Sequence, residues 1–294
     1  MSKNDSINSR IKENYENRNK TYLTRRTPVI IRLDGKAFHT YTKGLDKPFD
    51  EGLIQDMQNT AIYLCQNIQG VKCAYTQSDE ISLLLTDYDT LTTDAWFDYN
   101  VQKICSVSAS LATGIFGQLR LKRLLDSYDI ETHLVDIELP KLANFDSRCF
   151  NIPKEEVNNY FIARQKDAVK NSVSMLAQSL YSHSELHKKN GSDMQEMCFQ
   201  KGHNWNDLHF SKKRGSFIVK NTYVNDKLAF VEKELYQYGD IWYQPNNNRL
   251  LEFCKDGEIG EDWYDIPIEK VRTKWEVVET PEFSSNQDVI NSII

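Results

Sequence analysis

Two short stretches carry acids where chemistry could be done. In Ile30-Ile31-Arg32-Leu33-Asp34-Gly35-Lys36-Ala37-Phe38-His39 an apolar run stops at Asp34. In Tyr75-Thr76-Gln77-Ser78-Asp79-Glu80-Ile81-Ser82 the acids Asp79 and Glu80 separate two further apolar runs, Val71 to Thr76 and Ile81 to Thr86. One acid at the end of a β-type run is commonly just solvated. Two such ends side by side offer carboxylate and carbonyl oxygen, the donors that hard divalent cations take. Gly35 lets a backbone approach closely, and the loop from Gly35 to His39 can turn N–H groups toward a triphosphate. Ser78 adds a hydroxyl, and Lys47 a cation for phosphate oxygens. On residue types alone, capping acids and metal-binding acids are equally good readings. The fold decides between them by bringing the two stretches together or keeping them apart.

The elements that must position these residues follow from periodicity. Residues 1–27 are polar and charged, a helix or an arm, ending near Thr27-Pro28. Val29 to Leu33 reads as a buried strand. From Asp50, a plausible N-cap, the apolar residues Leu53, Ile54, Met57, Ala61, Leu64, Cys65 and Ile68 recur at three and four, and Gly70 stops the helix. A hairpin follows, with its tight turn at Gln77 to Glu80. A second long helix covers 95–125, β-type runs cover 134–139 and 144–150, a third helix covers 154–182, and 216–220 is a later strand. The first part therefore reads β-α-β-β-α-β. Its simplest packing is a ferredoxin-like antiparallel sheet with two helices on one face, an α+β arrangement within the broad α/β class. In that topology strands 1 and 3 are central neighbours, and Asp34 meets Asp79.

Two acids at such a rim suit a pair of Mg²⁺ ions, which need about 3.5–4 Å between them to act on one phosphate. Polymerase palms, nucleotide cyclases and RRM domains all use this sheet, so the fold does not choose the activity. RRM modules stack bases on aromatics of the central strands, and Ile81 to Leu85 carries none. The six cysteines include no C-x-x-C pair, and Ser184 follows His183 where a metalloprotease helix needs Glu. Composition is that of an ordinary globular protein, at 40% hydrophobic and 27% charged. No apolar run approaches the roughly 20 residues of a membrane span. Asp5, Glu13 and Glu16 argue against a secretory or transit leader. A cytoplasmic protein with no membrane partner is expected. The net charge of −6 exerts no global pull on nucleic acid, so any RNA surface must be local.

Taken together, these residues resemble the tRNA-His guanylyltransferase family, and especially its bacterial and archaeal-type guanylyltransferase-like branch. Arg32 to His39 is similar to the family's R-[IL]-D-G-x-x-F-H, Lys47 to Asp50 to its K-P-x-D, and Ala74 to Glu80 to its A-Y-x-Q-S-D-E. Phe145 to Arg148 is similar to F-D-[SG]-R, and Arg164 to Asp167 to R-Q-x-D. Lys103 to Ser110, Gly202 to Leu208 and Lys213 to Gly215 resemble later segments, so the likeness covers residues 10–220.

The resemblance implies a palm like that of 5′-to-3′ polymerases, with a family-specific C-terminal region. It divides the chain into an arm (1–27), a palm-like catalytic domain (28–150), an extension completing the core (151–220) and a region of unknown role (221–294). It implies two Mg²⁺ ions held by the Asp34 and Asp79 side chains and the Gly35 carbonyl. Triphosphate contacts would come from Asp34, Gly35, Lys36, Ala37, Phe38, His39, Ser78 and Asp79. Lys47 would stabilise charge on the phosphates. Arg32, Arg148, Arg164, Lys213 and Arg214 are candidate RNA contacts. The implied partner is the 5′ end of a tRNA, with ATP and GTP or another NTP as substrates and a tetrameric assembly. The implied reaction runs 3′ to 5′: the RNA 5′ phosphate is activated, and the 3′ hydroxyl of an incoming nucleotide attacks it. Members specific for tRNA-His carry His-Ile-Asn-Asn shortly after R-Q-x-D; here Val169-Lys170-Asn171-Ser172 stands in that place. Repair of 5′-truncated tRNA is therefore the expected activity. A nucleotide cyclase on the same palm and a non-catalytic RNA-binding module are the alternatives.

Overall fold

Val29–Gly35 forms β1, the strand from which the sheet grows in both directions. Its Ile30-Ile31 pair is buried on both sides, which only a strand covered on two faces allows. The computed structural model describes residues 6–127, 140–224, 236–238, 241–243, 250–251 and 271–293. The β-type run expected at 134–139 lies outside the described residues.

In chain order the elements are α1 (Ile7–Ile11), β1, α2 (Phe38–Tyr41), α3 (Glu51–Asn67), β2 (Val71–Gln77), β3 (Glu80–Leu85), α4 (Val101–Ser127), β4 (Phe145–Asn151) and α5 (Lys154–Leu180). There follow α6 (His183–Leu186), α7 (Gly191–Gln200), α8 (Phe210–Arg214), β5 (Ser216–Val224), β6 (Tyr236–Tyr238), β7 (Ile241–Tyr243), β8 (Leu250–Leu251), β9 (Val271–Val278) and α9 (Asp288–Asn291). The large sheet has the order β4-β1-β3-β2-β5-β9. Its first four strands are the expected ferredoxin-like set, and β1 runs antiparallel to both β3 and β4.

On one face, Val29, Ile31 and Leu33 of β1 join Ile81, Leu83 and Leu85 of β3 under α3 and α4, which contribute Met57, Ala61, Leu64, Ile104, Ala112 and Phe116. The two helices of the repeat thus share a face, as the topology requires. The opposite face is also covered: Ile30, Cys73, Tyr75 and Leu84 pack on Val157, Phe161 and Ala168 of α5 and on Phe283. The expected two-helix face is present, and this second layer adds to it. Its cause is the unbroken apolar run in β1, which left solvent-facing positions for neither side.

Asp50 caps α3, its Oδ1 accepting from the Leu53 N–H at 2.6 Å, a bond worth about 1 kcal/mol. Asp56 of α3 is buried and takes the guanidinium groups of Arg120 and Arg123 of α4, the latter at 2.6 and 3.1 Å. These bonds satisfy a carboxylate that would be costly alone in the core. By length and composition Val101–Asp126 could cross a membrane, but Ile104, Ala112 and Phe116 sit in the core against the sheet.

The chain clusters into a larger unit, Met1–Val219 with Trp275–Ile294, and a smaller one, Lys220–Lys274. The region taken from sequence as 221–294 is therefore not one piece: Trp275–Ile294 returns to the larger unit. In the smaller unit, β6, β7 and β8 form a three-stranded antiparallel sheet.

Candidate active site

The register places Asp34 of β1 directly opposite Glu80 of β3 on one side and Asp146 of β4 on the other. Directly opposed residues in an antiparallel sheet share a face. Three acids therefore sit at one end of the sheet, on the side covered by α5. The β2–β3 turn brings a fourth, because the Gly35 N–H donates to the Asp79 carbonyl at 3.0 Å. The two stretches that opened the sequence analysis are thus neighbours. Burial pushes the Asp79 carboxyl above its usual value, and the charge of Asp34 adds to the rise. Hydrogen bonds from its own backbone and from the Ser78 hydroxyl, at 3.0 Å, oppose it. Ser78 itself has φ +50°, a left-handed backbone that costs a non-glycine residue energy and recurs where a turn aims functional groups.

Glu80 is buried between two guanidinium groups. Arg32 Nη2 donates to its Oε2 at 2.6 Å, and Arg164 Nη1 of α5 at 3.3 Å. Burial raises the Glu80 carboxyl while Arg32 and Arg164 pull it back. Arg164 also pairs with Asp167 at 2.8 Å. Arg32 and Arg164, expected as RNA contacts, are thus engaged inside the protein. So are Lys213, which donates to the Asn206 carbonyl at 2.6 Å, and Arg214, which pairs with Glu282. Arg148 is the more open of the candidates. Its side chain is 53% exposed and, among the described residues, is held by Asp146 at 3.0 Å, next to Asp34.

The phosphate loop is narrower than expected. The Gly35 N–H is taken by Asp79, and the Lys36 N–H by the Asn144 carbonyl at 2.8 Å. Among the described residues the N–H groups of Ala37, Phe38 and His39, at the start of α2, make no hydrogen bond. Ala37 turns the chain with φ +56°. Phe38 anchors that turn, stacking against Phe145 and Phe116 with ring centroids 5.3 and 5.8 Å away. Lys36 and His39 are exposed. Lys47 lies in the exposed loop before α3 and makes no hydrogen bond or ion pair among the described residues. Among the described residues no hydrogen bond or ion pair brings it to the acids.

Sequence reasoning left Glu80 and Asp146 out of the site. Both signals were present: Glu80 adjoins Asp79, and Asp146 is the second residue of the F-D-S-R segment at the head of β4. Among the described residues no group of three or more His, Cys, Asp and Glu side chains is arranged to enclose a metal. Mg²⁺ does not need one, since it keeps waters and shares its shell with substrate phosphates.

A family model described as tRNAHis guanylyltransferase matches residues 8–153, the segment that carries β1 to β4. A solved structure titled a bacterial tRNA(His) guanylyltransferase (Thg1)-like protein in complex with ATP is 39% identical. It matches over 98% of this chain and 99% of its own, with a TM-score of 0.73. The chain belongs to the tRNA(His) guanylyltransferase family. A second structure of such a bacterial protein, in complex with GTP, is 36% identical over the same shares, with a TM-score of 0.68. The tRNA(His) guanylyltransferase of Debaryomyces hansenii is 27% identical over 68% of this chain and 76% of its own length. As a member of this family the chain is a nucleotidyltransferase, and its fold is the family's α+β palm.

Proposed function

We propose that the chain adds nucleotides to the 5′ end of tRNA in the 3′-to-5′ direction, with Mg²⁺ held by Asp34, Asp79 and the Gly35 carbonyl. The observation that carries this reading is the pairing of β1 with the β2–β3 turn, which sets Asp34 beside Asp79 through the Gly35 N–H. The donor set fits the ion. The oxygens are hard, and the raised Asp79 carboxyl next to Asp34 is relieved when a cation shares both charges. Bound there, Mg²⁺ supplies positive charge for the phosphate oxygens and favours the ionised 3′ hydroxyl.

The chain's own groups do the positioning. The N–H groups of Ala37 to His39 and the Ser78 hydroxyl face the triphosphate of the incoming nucleotide and fix where its 3′ hydroxyl can sit. Glu80 locks Arg32 and Arg164, so the floor beneath the reacting phosphate does not move. Arg148 is open to meet the RNA 5′ phosphate and the charge it gains in the transition state. For a 5′-monophosphate, the RNA phosphate first displaces pyrophosphate from ATP. The 3′ hydroxyl of the incoming nucleotide then displaces AMP. The bacterial relatives are described in complex with ATP and with GTP, which supports both substrate roles.

The absence of His-Ile-Asn-Asn at 169–172 favours 5′-truncated tRNA over tRNA-His as substrate. A cytoplasmic tetramer is the working assembly in this reading. The test is nucleotide addition with labelled GTP to a 5′-truncated tRNA and to full-length tRNA-His. Faster addition to the truncated RNA is expected, and Asp79→Ala abolishes addition while circular dichroism stays native. Full activity in Asp79→Ala refutes the site. Preference for tRNA-His refutes the repair reading.

A further inference from the structure

We propose that the cleft between α5, the loop before α7 and the segment around Glu282 is a contact surface for the RNA phosphate backbone. This rests on the tRNA reading above. The cleft encloses about 700 Å³, and its charged lining is Lys166, Lys170, Lys189, Arg214 and Glu282. Four cations against one carboxylate leave a formal +3 there, in a chain whose net charge is −6. Glu282 is already taken by Arg214. Lys166, Lys170 and Lys189 are exposed and make no ion pair among the described residues. A local excess of unneutralised lysine on an acidic protein draws a polyanion to that place.

The cleft and the acid rim share one helix. Arg164, which holds Glu80 at the acid rim, is on α5. Lys166 and Lys170 follow on the same helix, four residues apart and on one side of it. At 1.5 Å per residue, Lys170 lies about 9 Å beyond Arg164 along the axis. Around the axis, at about 100° per residue, Lys166 and Lys170 stand about 200° and 240° from Arg164, so the lysine wall is on the other flank of α5 from the acid rim and would meet RNA phosphates away from the reacting 5′ end. The wall is fixed, because Gln165 bonds the Pro281 carbonyl at 2.7 Å and the Phe283 N–H at 3.0 Å. Lysines present flexible point charges rather than a base-reading fork. The contact is accordingly to backbone and independent of sequence.

The test uses the full chain with Lys166→Gln, Lys170→Gln and Lys189→Gln combined, and Lys170→Glu alone as a second variant. Each is titrated with fluorescein-labelled 5′-truncated tRNA between about 50 and 200 mM salt. Three lost phosphate contacts should weaken binding about tenfold or more at low salt and lower the slope of log K against log[salt] by about 2. KM for tRNA should rise with kcat unchanged, and GTP affinity should not move. Lys170→Glu should weaken tRNA binding in the same direction. Unchanged tRNA binding in both variants, while the wild type binds and extends tRNA, overturns the contact surface and leaves the function standing. A fall in GTP affinity with tRNA binding unmoved assigns the cleft to a free nucleotide and also overturns the contact surface. A wild-type chain that binds no tRNA overturns both.

Discussion

Gly35 has no room for a side chain. A Cβ there would lie 2.3 Å from the Phe38 ring, which is itself wedged against Phe116 and Phe145. Gly35→Ala should cost about 1–3 kcal/mol by overpacking, read by urea unfolding, and should lower nucleotide addition by displacing the Ala37 to His39 turn. Asp79 makes the opposite trade. Its folded pKa is raised above the usual carboxylate value of 3.8 by burial first and Asp34 after. The ionised form therefore burdens the fold, and that burden sets in as pH rises through the window above 3.8. It is absent below that window, where the group is protonated whether folded or not. Without divalent cations, Asp79→Asn should raise the melting temperature at pH 7, with the gain closing on acidification, while nucleotide addition is lost. Asp34 and Asp79 were legible in sequence because each interrupts an apolar run. The partnership of Asp34 with Asp146 was not, because it exists only once β4 adds beside β1. Nor was the capture of Arg32 and Arg164 by Glu80, since a charge in a strand pattern does not declare which neighbour will bury it.

At the scale of elements, α5 is the piece that turns a half-covered sheet into a two-sided one. Its grip on the C-terminal segment runs through Gln165, a buried side chain whose amide bonds both the Pro281 carbonyl and the Phe283 N–H. Gln165→Ala leaves two buried backbone groups without partners and should cost about 1–3 kcal/mol, measured as a lower urea midpoint. β1 to β5, the hairpin, the cap at Asp50 and the three long helices were readable from periodicity and turn chemistry, whereas β6 to β9 were not. The side of the sheet that α5 covers was not. Helical periodicity fixes which face of a helix is apolar, but not which of two apolar sheet faces it will meet.

For the whole molecule, ligand linkage offers a direct measurement. If nucleotide and cation bind the folded chain at the acid rim, GTP with Mg²⁺ at a hundredfold excess over Kd should add about 2.7 kcal/mol of stability. A thermal shift should report this, and EDTA should erase most of it. Persistence of the full shift in EDTA would remove the cation from the nucleotide site. The overall charge was informative in sequence only in the negative: at −6 it required that any polyanion be met locally, but the patch forms from α5, the loop before α7 and Glu282, which no linear run of lysines reveals.

The chain leaves the larger unit at Val219, in β5, and re-enters it at Trp275, in β9. Those strands are neighbours at the end of the sheet away from β4 and its Asp146. The stretch 220–274 is therefore joined to the larger unit through two strands of one sheet. Such an attachment is a licence for variation. Asp34, Asp79, Glu80 and Asp146 all come from chain outside 220–274, so insertions, deletions or exchange within that stretch leave the residues of the acid rim themselves unaltered.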